Sequence, residues 1–211
     1  MTSDSIMKCI FNIEHSSAIL LPGVIVFPVF AFVIANHLAQ KKNFKKYLMR
    51  LLPFAVLTYL IDCHYLGTVA LNPLFTFILS VLLIWGLEKA DTLKNKDKEN
   101  VAKLVLVLGI GTLSFMVEFG LPGVLLLPAF YWFVKTRSTL IGMATLGLMA
   151  AIAPISVSYI LFAVMVGLFL LVLKPTDDKH FATFKKGGWF FYAYYPLHKW
   201  IVLYYMVMSL S

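Results

Sequence analysis

The chain has 211 residues, 61% of them apolar and only 13% charged, with a mean hydropathy of +0.86. A soluble domain is about 45–50% apolar and about 25% charged, so the composition excludes an ordinary water-soluble domain and implies an all-α, polytopic membrane bundle forming one domain over 1–211. The net charge of +8 is not read as a nucleic-acid signal, because every Lys and Arg except Lys8 and Lys199 falls in four short segments between apolar runs.

The first sixteen residues are short and irregular, with no pattern of a cleavable signal peptide, and they contain the polar pair Glu14 and His15. A spanning helix takes roughly 20 apolar residues. On that measure about eight transmembrane helices are expected, near 17–39, 47–66, 71–88, 102–119, 120–135, 138–153, 154–174 and 188–210. Phe119-Gly120-Leu121-Pro122-Gly123 and Ala153-Pro154 supply the turn conformations that tight connections need. The lysine-rich stretch 89–101 is expected to be a solvated loop.

Segments 40–50, 89–103, 135–137 and 174–187 hold the Lys and Arg residues and lie at alternate ends of the spans. All four are therefore assigned to the cytoplasmic side, and the C-terminus to the outer side. Cys9 and Cys63 are too few for a disulfide framework and show no metal-ligand spacing, so no metal is expected.

Few ionisable residues remain within the spans. By helical rise, Asp62 lies roughly 22 Å past the inner end of its span, with His64 beside it. Glu118 is at a similar depth, and His198 lies roughly 16 Å past the inner boundary, near the midplane. If their helices pack together, Asp62, Glu118 and His15 outline an outward-opening polar cavity that has His198 at its floor. Each has a plainer reading as well. Asp62, His64 and Glu118 are near helix ends, where a polar group is simply hydrated, and Lys199 can snorkel to an interface. His198 is harder to account for, because an ionisable group at that depth faces protein or a polar cavity. Tyr194 and Tyr195 precede it by four and three residues and share its helical face. Pro196 frees the Tyr192 carbonyl and kinks the helix.

At Tyr194-Tyr195-Pro196-Leu197-His198 the chain resembles the closing motif of the TraX family, which is itself similar to the acyltransferase family 3 of membrane O-acyltransferases. Four further blocks match in order: Gly23-Val24-Ile25-Val26-Phe27-Pro28-Val29-Phe30-Ala31-Phe32, Lys45-Lys46-Tyr47-Leu48-Met49-Arg50, Asn72-Pro73-Leu74-Phe75-Thr76-Phe77 and Glu118-Phe119-Gly120-Leu121-Pro122-Gly123. Three features depart from the family pattern. Val24 stands where the family has Arg, Thr58-Tyr59-Leu60-Ile61 stands where it has Ser-Glu/Gln-x-Pro, and the acid–histidine pair Glu14-His15 follows only a short segment.

The resemblance implies a bacterial inner-membrane acetyltransferase that uses acetyl-CoA to acetylate the N-terminus of a conjugative pilin. In that reading His15 is the general base, oriented by Glu14, while His198, Tyr195 and Tyr194 position the acyl group or stabilise its oxyanion. Asn72, Thr76, Glu118 and Asp62 line the substrate site. Lys45, Lys46 and Arg50 attract the donor's phosphates, although the same charges are also the topology signal. Two other readings stand beside it: an O-acyltransferase acting on a surface carbohydrate or lipid, and a non-catalytic membrane assembly partner or small transporter. A transporter would be expected to show a repeat or paired broken helices, and neither is evident.

Overall fold

The computed structural model describes residues 21–41, 43–66, 71–152 and 157–172, together with Leu197 and Trp200. Among these residues the chain is helical throughout: α1 (Leu21–Lys41), α2 (Phe44–Leu66), α3 (Pro73–Ala90), α4 (Lys96–Leu113), a 3-10 turn (Ser114–Met116), α5 (Gly120–Thr136), α6 (Thr139–Ile152) and α7 (Val157–Val172). These seven helices follow the first seven expected spans in order. The eighth span, 188–210, lies outside the described residues apart from Leu197 and Trp200, as do the Ala153-Pro154 joint and the first sixteen residues. Two described stretches, Pro73–Ala90 and Lys96–Met116, are long and apolar enough to cross a membrane.

The bundle is organised on α1, α3 and α5. The broadest interface joins α1 to α5, and α3 packs on α5, α2 and α4. Ala31 and Ala35 are fully buried, and Phe32 of α1 meets the ring of Phe130 on α5 edge-on, with centroids 5.4 Å apart. Pro128 lies inside α5 and has no N–H to give the Val124 carbonyl, which a helix interior would leave unsatisfied. The hydroxyl of Ser80 on α3 lies 2.8 Å from that carbonyl and 2.8 Å from the Thr76 carbonyl of its own helix. A serine from the neighbouring helix thus compensates the proline, as a backbone group shielded from water requires. Gly167 of α7 brings that helix close to α6, where a Cβ would fall 2.7 Å from both Leu146 Cδ2 and Met149 Sδ.

α4 departs from expectation. The stretch 89–101 is not a loop throughout: it turns over Asp91–Asn95 and is helical from Lys96. Asn95 sets the start, its side chain accepting from the amides of Asp97 (2.9 Å) and Lys98 (3.1 Å), which satisfies donors that a first helical turn leaves open. Asp97 and Glu99 in that turn suit the positive end of the helix dipole. The helix correspondingly stops at Leu113, short of the expected 119. Residues after the 3-10 turn pair instead with the segment before α3: the Leu71 amide donates to the Met116 carbonyl and the Glu118 amide to the Leu71 carbonyl, each at 2.9 Å. This single parallel bridge, Leu71 with Val117, clasps the starts of α3 and α5.

α4 is otherwise peripheral, with only 17% of its apolar stretch buried. Leu104, Val105 and Leu108 are exposed, and so are Met49, Val56 and Leu60 on α2, Leu140 and Met143 on α6, and Leu161 and Met165 on α7. Exposed apolar residues on four helices are suited to lipid rather than water.

Candidate functional site

The two ends of the bundle differ in chemistry. At one end lie the C-termini of α1, α3 and α5 and the N-termini of α2, α4 and α6. The Phe44 ring meets Tyr131 edge-on there, at 6.3 Å, and the Tyr131 hydroxyl donates to Glu88 Oε1 at 2.8 Å. Lys135 also pairs with Glu88, so one carboxylate on α3 gathers a phenol and an ammonium from α5. The Lys103 ammonium bridges Asp91 and Glu99, 2.6 Å from the latter. Lys89 lies over the Trp85 ring and Arg137 over the Phe133 ring. Arg137 ends α5 in the left-handed region at φ 53, its amide donating to the Phe133 carbonyl. Of the three residues expected to meet the donor, Lys45, Lys46 and Arg50 are all exposed on the first turns of α2.

The opposite end is the candidate site, and three of the sequence blocks that mark the resemblance meet there. Phe27 of α1 stacks on Phe77 of α3 with centroids 4.7 Å apart, and on Phe119, at the start of α5, at 4.0 Å. Gly123, one turn into α5, leaves room for this stack. A Cβ there would lie 2.3 Å from Phe119 Cβ and 3.2 Å from Thr76 Cγ2. Gly120 begins α5 at φ +56, a conformation that glycine takes without steric cost.

The expected substrate residues divide into two groups. Asn72 is buried and committed to the fold: its Oδ1 accepts from the Leu74 amide at 3.0 Å, capping α3, and its Nδ2 donates to the Ala55 carbonyl of α2 at 2.9 Å. Thr76, one turn further on, is also buried, yet its Oγ1 has no hydrogen-bond partner among the described residues. A hydroxyl left so carries a desolvation cost, and a substrate polar group could relieve it. Thr58, which is buried on α2, uses its hydroxyl locally on the Phe54 carbonyl.

Asp62 and His64 do not share a surface. Asp62 is buried at 2% exposure on the inward side of α2. His64 is exposed, as two helical steps of about 100° each turn it to the other side. Glu118 is exposed, and its backbone forms part of the clasp.

His64 and Cys63 line an open groove of about 580 Å³ with Leu60, Ile61 and Trp200. Trp200, which stands two positions after His198 in the sequence, is thus placed at the far end of α2. Glu14, His15, Tyr194, Tyr195 and His198 lie outside the described residues. No group of three or more potential metal ligands occurs among the described residues.

Sequence reasoning missed Ser80 and the Glu88–Tyr131–Lys135 cluster. Pro128 inside an apolar run was the signal for a compensating hydroxyl. A carboxylate closing the run 71–88, opposite a lysine closing 120–135, was the signal for the ion pair.

The apolar helices and lipid-suited surface define the chain as a membrane protein built as a helical bundle. A family model described as TraX protein matches residues 1–207, and the chain belongs to that family. No curated protein and no solved structure matches it.

Proposed function

We propose that this chain is a multi-pass acetyltransferase of the bacterial inner membrane, taking acetyl from acetyl-CoA and placing it on the N-terminal amine of a conjugative pilin. The family membership and the order of its motif blocks support the activity. The observation that carries the site is the buried hydroxyl of Thr76, unsatisfied among the described residues, beside the stack of Phe27, Phe77 and Phe119. With the positively charged segments on the cytoplasmic side, the donor arrives at the basic end and the acceptor amine at the opposite one.

In the transfer, the amine nitrogen bonds to the thioester carbonyl carbon, the carbon–sulfur bond breaks, and coenzyme A leaves as its thiolate. The amine attacks only after losing a proton, which falls to His15, held in orientation by Glu14. A general base of this kind contributes about 10²–10⁴-fold. His198 and Tyr195 stabilise the oxyanion that develops, with Tyr194 beside them. Thr76 hydrogen-bonds the bound substrate, and Asp62 sets the local field from the buried side of α2.

Thr76→Val and His198→Ala, assayed by the mass of pilin from cells, test this reading. Thr76→Val keeps the side chain's shape and removes only the hydroxyl. It should melt no lower than the parent while acetylation falls by about tenfold, the loss of one hydrogen bond. His198→Ala should abolish acetylation. Full acetylation in both variants would overturn the proposal.

A further inference from the structure

α2 is one-sided along its whole length. Lys45, Lys46, Met49, Arg50, Leu52, Pro53, Val56, Leu57 and Leu60 are exposed, whereas Leu51, Ala55, Thr58 and Asp62 are buried. At 100° per residue the exposed set lies on one continuous side of the helix. Three cations head this side, and an apolar lane runs from them toward the opposite end.

Five other cations of the basic end are occupied. Lys103 has Asp91 and Glu99, Lys135 has Glu88, Lys96 has Glu99, and Lys89 and Arg137 lie over aromatic rings. Among the described residues, no carboxylate is within ion-pair distance of Lys45, Lys46 or Arg50. The lane matches half a bilayer: the ten residues from Arg50 to Leu60 rise about 15 Å, half of a hydrocarbon core of about 30 Å.

We infer that this side of α2 is a binding site for an acidic phospholipid, with its phosphate held by Lys45, Lys46 and Arg50 and an acyl chain lying along Met49, Leu52, Val56 and Leu60. The charges supply the complementarity and the exposed lane fits an acyl chain. Coenzyme A, also a phosphate ligand, has no use for a 15 Å apolar wall facing outward. The inference rests on the membrane orientation proposed above and not on acetyl transfer, and its test reads lipid alone.

The purified full chain is offered dioleoyl phosphatidylglycerol and dioleoyl phosphatidylcholine in equal amounts, and bound lipid is counted by native mass spectrometry. The parent should prefer phosphatidylglycerol by about fivefold or more, the scale of one or more headgroup–cation contacts. Lys45→Gln/Lys46→Gln/Arg50→Gln should bind the two lipids equally. Lys94→Gln/Lys98→Gln, which removes exposed charge elsewhere at the same end, should retain the preference. The swap Lys45→Arg/Lys46→Arg/Arg50→Lys keeps charge and fold and should retain it as well. Preference persisting in the glutamine triple, or lost in the charge-keeping swap, overturns the proposal. Displacement of phosphatidylglycerol by coenzyme A or inorganic phosphate overturns it too, and returns the three cations to the donor.

Discussion

The two ends of the bundle solve the same problem by different means. At the basic end the helices are joined through side-chain charge: Glu88 accepts from Tyr131 and Lys135, and Lys103 spans Asp91 and Glu99. At the opposite end they are joined through backbone and rings, by the Leu71–Val117 bridge, the Asn72 brace to Ala55 and the stack on Phe27. Long charged side chains can re-form contacts after a small shift, whereas a backbone clasp under stacked rings cannot. The contrast therefore separates an end that tolerates substitution from an end that holds a fixed geometry, and the buried hydroxyl of Thr76 lies at the fixed end.

Substitutions at the two ends should differ accordingly. Gly123→Ala sets a methyl 2.3 Å from Phe119 Cβ, an atom tied to its backbone. It should destabilise the protein by about 1–3 kcal/mol, the cost of overpacking, measured as a lowered melting temperature in detergent. A variant that melts with the parent would show that the aromatic stack is as adaptable as the charged end. Glu88→Gln retains the side-chain shape and leaves half-exposed Lys135 free to reach solvent. It should cost about 1 kcal/mol, and a loss larger than that of Gly123→Ala would reverse the comparison.

The smallest effect should come from pH at Glu99. The hydrogen bond from Lys103 is the largest cause that holds this carboxyl below its usual range, with Lys96 assisting against the cost of burial. A lowered folded-state pKa stabilises the fold above the usual carboxylate range, and that contribution is lost as pH falls through the lowered value. Amide exchange in the first turns of α4 should therefore speed up on acidification below about pH 4.5, and Glu99→Gln should remove this acid-dependent component. An identical acid response in parent and variant would show that the Lys103 bridge does not hold α4.

Much of the helical order was legible because apolar length sets where such helices can lie, and seven expected spans meet seven helices. The boundaries of α4 were not. Asn95 caps a helix whose first turn is charged, a signal that hydropathy ignores, and the clasp at Val117 is a tertiary contact with no local signature. The meeting of the blocks was legible in part: Phe27, Phe77 and Phe119 belong to motifs far apart in the chain, and their rings stack. The inner division of the site was not. Asp62 and His64 were grouped by depth alone, although a helix turns residues two apart to nearly opposite sides. Asn72 has the polar group expected of a substrate contact, but the fold uses that group to cap α3 and brace α2.

The clasp has a consequence for how the chain is held together. α3 and α5 are separated in sequence by the whole of α4, yet they are tied at one end by the Leu71–Val117 bridge and at the other by Glu88 with Lys135. The covalent route through α4 is thus a detour around a circuit already closed by non-covalent bonds. The turn over Asp91–Asn95 can open without parting the helices that build the site, and the integrity of the site belongs to the circuit rather than to the thread.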